Sequence, residues 1–189
     1  MFINASIETD RLIIRPYVLE DVDGTYEAVS EKDFYQYIPE DPPTREGVKQ
    51  IIEWSITQNQ KNTPDKIYKF NLSIIHKEDG NIIGYCGLGP DDLGMGETEI
   101  YYGISSRYRK RGLALEAAQA TLKYGFEVIG LKKIMAFVDY RNTPSIKLVE
   151  KLGMKYHFRI SHLQEENRDF EGQCYYTITA EEYKNFLTK

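Results

Sequence analysis

Along residues 97–104, "ETEIYYGI", the side chains alternate. Thr98, Ile100, Tyr102 and Ile104 fall on one face of an extended chain, and Glu97, Glu99 and Tyr101 on the other. That period of two predicts a strand with one face in a core. The pattern changes a few residues later. From Gly112 to about residue 129 the apolar positions take helical spacing, with Leu115, Ala118, Leu122, Phe126 and Ile129 in one stripe and Leu113, Ala117, Ala120 and Tyr124 in a second. Only Glu116, Gln119, Lys123 and Glu127 form a polar strip, so this helix is expected to be covered on most sides.

The same periods organise the rest of the chain. A strand is expected over 11–18 and a helix over about 20–30. A second helix follows Thr44 as N-cap, with Val48, Ile51, Ile52 and Ser55 facing inward. Two strands flank Glu78-Asp79-Gly80, a hairpin signal. Further on come a strand at 132–139, a short helix capped by Asn142, strands at 154–160 and 172–179, and a closing helix with Thr179 and Glu182 in capping-box spacing. Without repeats or linkers, this order predicts one α+β domain over residues 1–189, built on a mostly antiparallel sheet of about seven strands with helices on both faces.

Composition narrows the partners. A chain of 189 residues buries a proper core, and its formal charge of −5 argues against a general nucleic-acid binder while suiting a cationic partner. Cys86 and Cys174 sit in strand-like runs without metal or redox spacing and are expected to be buried free thiols in a reducing compartment. His76, His157 and His162 form no ligand pattern, so no metal is expected. The start "MFINASIETDRL" has no leader-like apolar segment and no run approaches a membrane span; the cytoplasm is the expected location, with no membrane partner.

One stretch conflicts with its own local structure. "RYRKRGLALEAA", residues 107–118, packs four cationic side chains against the start of a helix, where the backbone already carries partial positive charge. A bound polyanion resolves the conflict: N–H groups from Lys110 to Ala114 take phosphate oxygens while Arg109, Lys110 and Arg111 neutralise charge, and Gly112 lets the backbone approach closely. The bland alternative is a solvated basic cluster. No G-x-x-x-x-G-K-[ST] loop is present, and the glycines of "GLGPDDLGMG" lack dinucleotide spacing.

Arg109-Lys110-Arg111-Gly112-Leu113-Ala114 resembles the [Q/R]-x-x-G-x-[G/A] signature by which the GNAT superfamily of N-acetyltransferases holds the pyrophosphate of acetyl-CoA. "ETDRLIIRPYVLEDVD", "NIIGYCGL", "TEIYYGISSRYRKRGLALEA" and "NTPSIKLVEKLGM" resemble successive segments of its RimJ/RimL-type branch, which acetylates protein N-termini and assorted amines. The resemblance implies a central sheet with a splayed cleft, and a pantetheine arm laid along the backbone of Tyr102, Gly103 and Ile104. The side chains of Tyr102 and Ile104 are expected in the core. It implies coenzyme contact for Asn142, which is also a plain helix cap, and a place near the sulfur for Ser145, which is also a plain first-turn residue. Glu99 matches an acidic residue of the branch and is the candidate base, against the alternative of an exposed sheet-face carboxylate.

The implied reaction moves an acetyl group from acetyl-CoA to a primary amine in a ternary complex, releasing coenzyme A. The amine must be neutral to attack, and the departing sulfur needs a donor. The tyrosine that many members carry seven residues after the asparagine is Val149 here, which moves that role to Ser145. Against an enzyme stands a non-catalytic acyl-CoA-binding module on the same fold. Acidic rims at 39–43, 89–99 and 161–172 are candidate attractors of a cationic acceptor, small molecule or protein N-terminus. Monomer and homodimer both stand, since the aromatic 174–178 strand suits either a dimer interface or the core.

Overall fold

The computed structural model describes every residue except 39, 164–167, 169 and 189. Strands β1 (Ile7–Glu8) and β2 (Leu12–Pro16) precede helices α1 (Val22–Val29) and α2 (Arg45–Lys61). Strands β3 (Phe70–His76), β4 (Ile82–Pro90) and β5 (Thr98–Ile104) lead into α3 (Leu113–Lys123), and β6 (Lys133–Asp139) into α4 (Thr143–Lys151). Strands β7 (Lys155–Arg159) and β8 (Gln173–Thr179) and helix α5 (Ala180–Leu187) follow.

All eight strands join one sheet in the order β1-β2-β3-β4-β5-β6-β8-β7, antiparallel throughout except between β5 and β6. The α+β expectation holds. The eighth strand is β1, two residues long and so without a readable alternation. Helices cover both faces because neighbours on a strand point oppositely: Cys86 enters the large cluster with Leu72, Leu113 and Leu122, while Tyr85 packs on the smaller one of Val22, Val48 and Ile52.

Three elements differ from expectation. Ile51 is 51% exposed although Val48, Ile52 and Ser55 are buried, because the inward stripe of α2 is narrower than four residues per two turns. The helix after Gly112 is α-helical only to Lys123 and widens into a π-turn over Tyr124–Ile129, with Gly125 against Ile134 and Leu88, so that Phe126 and Ile129 still reach the core. Strand β8 inserts between β6 and β7, which buries residues 174–178 inside this chain and leaves β7 exposed along its whole length at the sheet edge. The aromatic strand therefore completes the core. Cys86 and Cys174 are buried free thiols.

The sheet opens at one place. β4 and β5 pair over seven residues, and so do β6 and β8, yet β5 and β6 meet in register at a single pair, Glu99 with Met135. Beyond residue 99 the two halves of the sheet diverge.

Candidate functional site

A cleft of about 810 Å³ fills that divergence, lined by Glu99, Tyr102 and Gly103 of β5, the Arg109–Ala114 turn, and Asn142 and Ser145 of α4. Residues separated by up to 46 positions thus meet around one space. Of the candidate residues only Arg111 does not line it; its guanidinium lies over the Tyr108 ring, 5.4 Å from the centroid.

The backbone of β5 is aimed into the cleft by pairing parity. Ser105 N–H donates to Ile83 O, so odd-numbered residues of β5 exchange bonds with β4 and the N–H and C=O groups of Tyr102 and Ile104 point the other way. Arg109 Nε donates to Ile104 O at 3.2 Å, which leaves the amide groups of Tyr102 and the N–H of Ile104 for an added extended chain. Gly103 pairs with β4, and its contribution is the missing side chain: a Cβ there would lie 2.4 Å from Phe34 Cζ.

The start of α3 is left without a side-chain cap. Its N-cap, Gly112, has φ of 79° and supplies no side-chain cap, so the first-turn N–H groups lack an intrahelical acceptor. Lys110, with φ of 62°, is also left-handed, and the two together fold the turn. The one acidic side chain of the first turn, Glu116, is drawn aside: Thr9 Oγ1 donates to it, and Arg11 Nε and Nη2 reach its Oε2 at 2.7 and 2.6 Å. Arg11 also donates to Arg111 O at 2.8 Å, bracing the turn from the residue just before β2. Arg109 is committed as well, donating to Asp33 O at 3.1 Å, and Arg107 pairs with Glu31 at 3.2 Å. The cationic run thus partly holds the loop's own shape.

At the far end, Asn142 Oδ1 accepts from Ser145 N–H at 3.2 Å, so the expected cap is formed and its amide nitrogen is left over. The side chain of Ile104 is buried as expected, but that of Tyr102 is not simply core: its hydroxyl donates to Ser145 Oγ at 3.4 Å, across the opening between β5 and α4. Burial pushes the Tyr102 hydroxyl up to about 12, partly offset by Ser145, so it stays protonated at neutral pH.

Glu99 sits where β5 and β6 part. It is half-buried, and Phe137 N–H of β6 donates to its Oε1 at 3.4 Å. Burial raises its carboxyl from 4.5 to about 7, with Asp92 and Asp91 adding to the rise and Phe137 N–H and Lys69 opposing it. The exposed-carboxylate alternative fails on this placement. Glu40 and Asp92 line the same cleft, so parts of the expected acidic rims do face it, and Asp33, outside those rims, lines it as well; residues 39, 164–167 and 169 of those rims lie outside the described residues.

Glu31, Asp33, Phe34 and Arg11 carry no sequence signal for this site, since each acts on partners about 70 to 105 residues away. Among the described residues no group of His, Cys, Asp or Glu can hold a metal, and no helix is long and apolar enough to cross a membrane.

Comparison with known proteins accords with this geometry. Residues 11–155 match the acetyltransferase (GNAT) domain family. The "Uncharacterized N-acetyltransferase YnaD" of Bacillus subtilis is 32% identical over 180 residues, 94% of this chain and 98% of the relative. A GNAT-family acetyltransferase from Bacillus anthracis superposes with a TM-score of 0.74 at 30% identity, over 94% of this chain and 99% of that one. Ribosomal-protein-S5-alanine acetyltransferase from Vibrio fischeri shares the fold, with a TM-score of 0.76 at 19% identity over 95% and 99% of the chains.

Proposed function

Because the chain belongs to the GNAT acetyltransferase family and is an N-acetyltransferase, we propose that it moves the acetyl group of acetyl-CoA to a primary amine by direct attack within a ternary complex. The observation that carries this is the single-pair contact of β5 with β6, which opens a path from the uncapped α3 start to Asn142 and Ser145. The residues fit the coenzyme. The first-turn N–H groups after Gly112, with Lys110 beside them, suit a pyrophosphate, and the N–H and C=O of Tyr102 with the N–H of Ile104 suit an arm carrying two amides. Arg109 and Arg111 shape that turn, Leu113 and Ala114 supply its backbone, and Gly103 keeps the strand slim.

Acetyl-CoA supplies an activated acyl group, so much of the acceleration comes from alignment. Glu99 accepts the proton that the amine nitrogen loses as the C–N bond forms. Ser145 donates a hydrogen bond to the sulfur as the C–S bond breaks and the electron pair moves onto it, and a proton from solvent completes the thiol. Asp33, Glu40 and Asp92 give the cleft a negative field, which favours an amine that arrives as a cation and releases its first proton to solvent before attack. We place the chain in the RimJ/RimL-type branch on the strength of the segments quoted above, with the cytoplasm as its expected location.

The test measures free-thiol release from acetyl-CoA with a panel of small amines and N-terminal peptides, and coenzyme binding by calorimetry. Turnover with at least one acceptor is expected; bound coenzyme without turnover on any of them would favour the non-catalytic binding module. Gly112→Glu, which sets an anion at the phosphate seat, should abolish coenzyme binding, whereas Gly112→Asn, which tolerates the left-handed turn, should retain it. Unchanged binding by the Glu variant means the phosphate seat lies elsewhere.

A further inference from the structure

Val149 is fully buried, one turn beyond Ser145 on α4, and brings no polar atom to the cleft. Another side chain reaches Ser145 from the opposite wall. The Tyr102 hydroxyl crosses from β5 to donate to Ser145 Oγ, and Ser145 takes no other side-chain donor among the described residues. A serine hydroxyl that accepts one bond keeps its own proton to give. With the Tyr102 hydroxyl as donor, the chain runs from Tyr102 through Ser145 toward the cleft, and each hydrogen bond in such a chain strengthens the next.

Resting on the transferase reading, we propose that Tyr102 is a positioning residue for the departing thiolate: its hydroxyl orients and polarises Ser145, which then presents its proton to the coenzyme sulfur. The ring of Tyr102 packs against the large core cluster, which holds the hydroxyl by its stem. Burial keeps it a donor through the neutral range. Glu99 serves the opposite face of the same strand, because residues 99 and 102 differ by an odd number of positions. Proton acceptance from nitrogen and donation toward sulfur thereby fall to side chains that leave β5 from opposite faces of the strand.

Tyr102→Phe removes the hydroxyl and keeps the packing; Ser145→Ala removes the inner donor, and Ser145→Thr restores one. Coenzyme A is bound to each form and its thiol titrated by thiolate ultraviolet absorbance. Donation to the thiolate favours the charged form, so the bound thiol should be about tenfold more acidic in the wild type than in Tyr102→Phe. Ser145→Ala should match the double variant, and Ser145→Thr should recover much of the acidity. With the panel acceptor that the wild type turns over fastest, Tyr102→Phe should lower kcat about tenfold with the KM for acetyl-CoA unchanged. Equal thiol acidity and equal kcat in the wild type and Tyr102→Phe overturn this inference alone, as does a Tyr102→Phe effect that adds in full to that of Ser145→Ala. Failure of the wild type to bind coenzyme A overturns the transferase reading and this inference with it.

Discussion

Glu99→Gln should make the protein more resistant to heat at pH 8 while disabling it. The carboxyl titrates ordinarily near 4.5 when the chain is unfolded and near 7 in the folded cleft, where burial and two neighbouring aspartates disfavour its charge. Between those values the folded state binds more protons than the unfolded one, so stability falls as pH rises from 4.5 to about 7 and stays depressed above that. At 1.36 kcal/mol per pH unit, the ceiling of this effect is about 3 kcal/mol. Glutamine removes the charge but offers Phe137 N–H a weaker acceptor and brings an amide that needs partners, leaving a gain of about 1 kcal/mol. For a chain of this length that is a rise in Tm of about 2–4 °C. Thermal unfolding of both proteins at pH 5 and pH 8 measures it and needs no acceptor. The variant should exceed the wild type at pH 8, and the gap should close or reverse at pH 5, where Glu99 is neutral. A gap that does not change between the two values shows that Glu99 is not charged at a cost in the fold, and removes the physical basis for its role as base. Turnover should fall about 10²-fold or more with coenzyme affinity retained.

Asn142→Ala should lose the Ser145 N–H bond and about 1 kcal/mol of stability, and should weaken acetyl-CoA binding; Asn142→Asp should keep the cap and the Tm but not the affinity, since only the amide offers a donor to the cleft. Wild-type affinity in both variants would leave Asn142 as a cap alone. Gly103→Ala drives a methyl to within 2.4 Å of Phe34, so urea unfolding should show a loss of about 1–3 kcal/mol, and Phe34→Leu in the same chain should restore part of it. A Gly103→Ala protein as stable as the wild type would mean that Phe34 moves freely.

The clamp between the coenzyme-side turn and the segment near Phe34 shows what a one-dimensional pattern conceals. Glu31 accepts from Ser105 Oγ at 2.9 Å and Ser106 N–H at 2.8 Å, and Asp33 O receives Arg109. These partners are more than seventy residues apart, and nothing in "VSEKDFYQY" distinguishes them from an ordinary polar turn. The same holds for Arg11, whose position before a strand gives no hint that it collects Glu116 from the helix start.

Local chemistry determined the strands and helices, because alternation, helical stripes and caps at Thr44, Asn142 and Thr179 act over a few residues. It determined the uncapped helix start too, since a glycine between cations and a helix is a contradiction visible within a dozen positions. Tertiary structure alone decided that β8 slips between β6 and β7, that β5 and β6 touch once and then part, and that Glu99 is half-buried rather than bathed in solvent. It alone brought the Tyr102 hydroxyl to Ser145. Strand order and burial depend on which distant surfaces exclude water from one another, and that sum over the whole chain is not written in any segment of it.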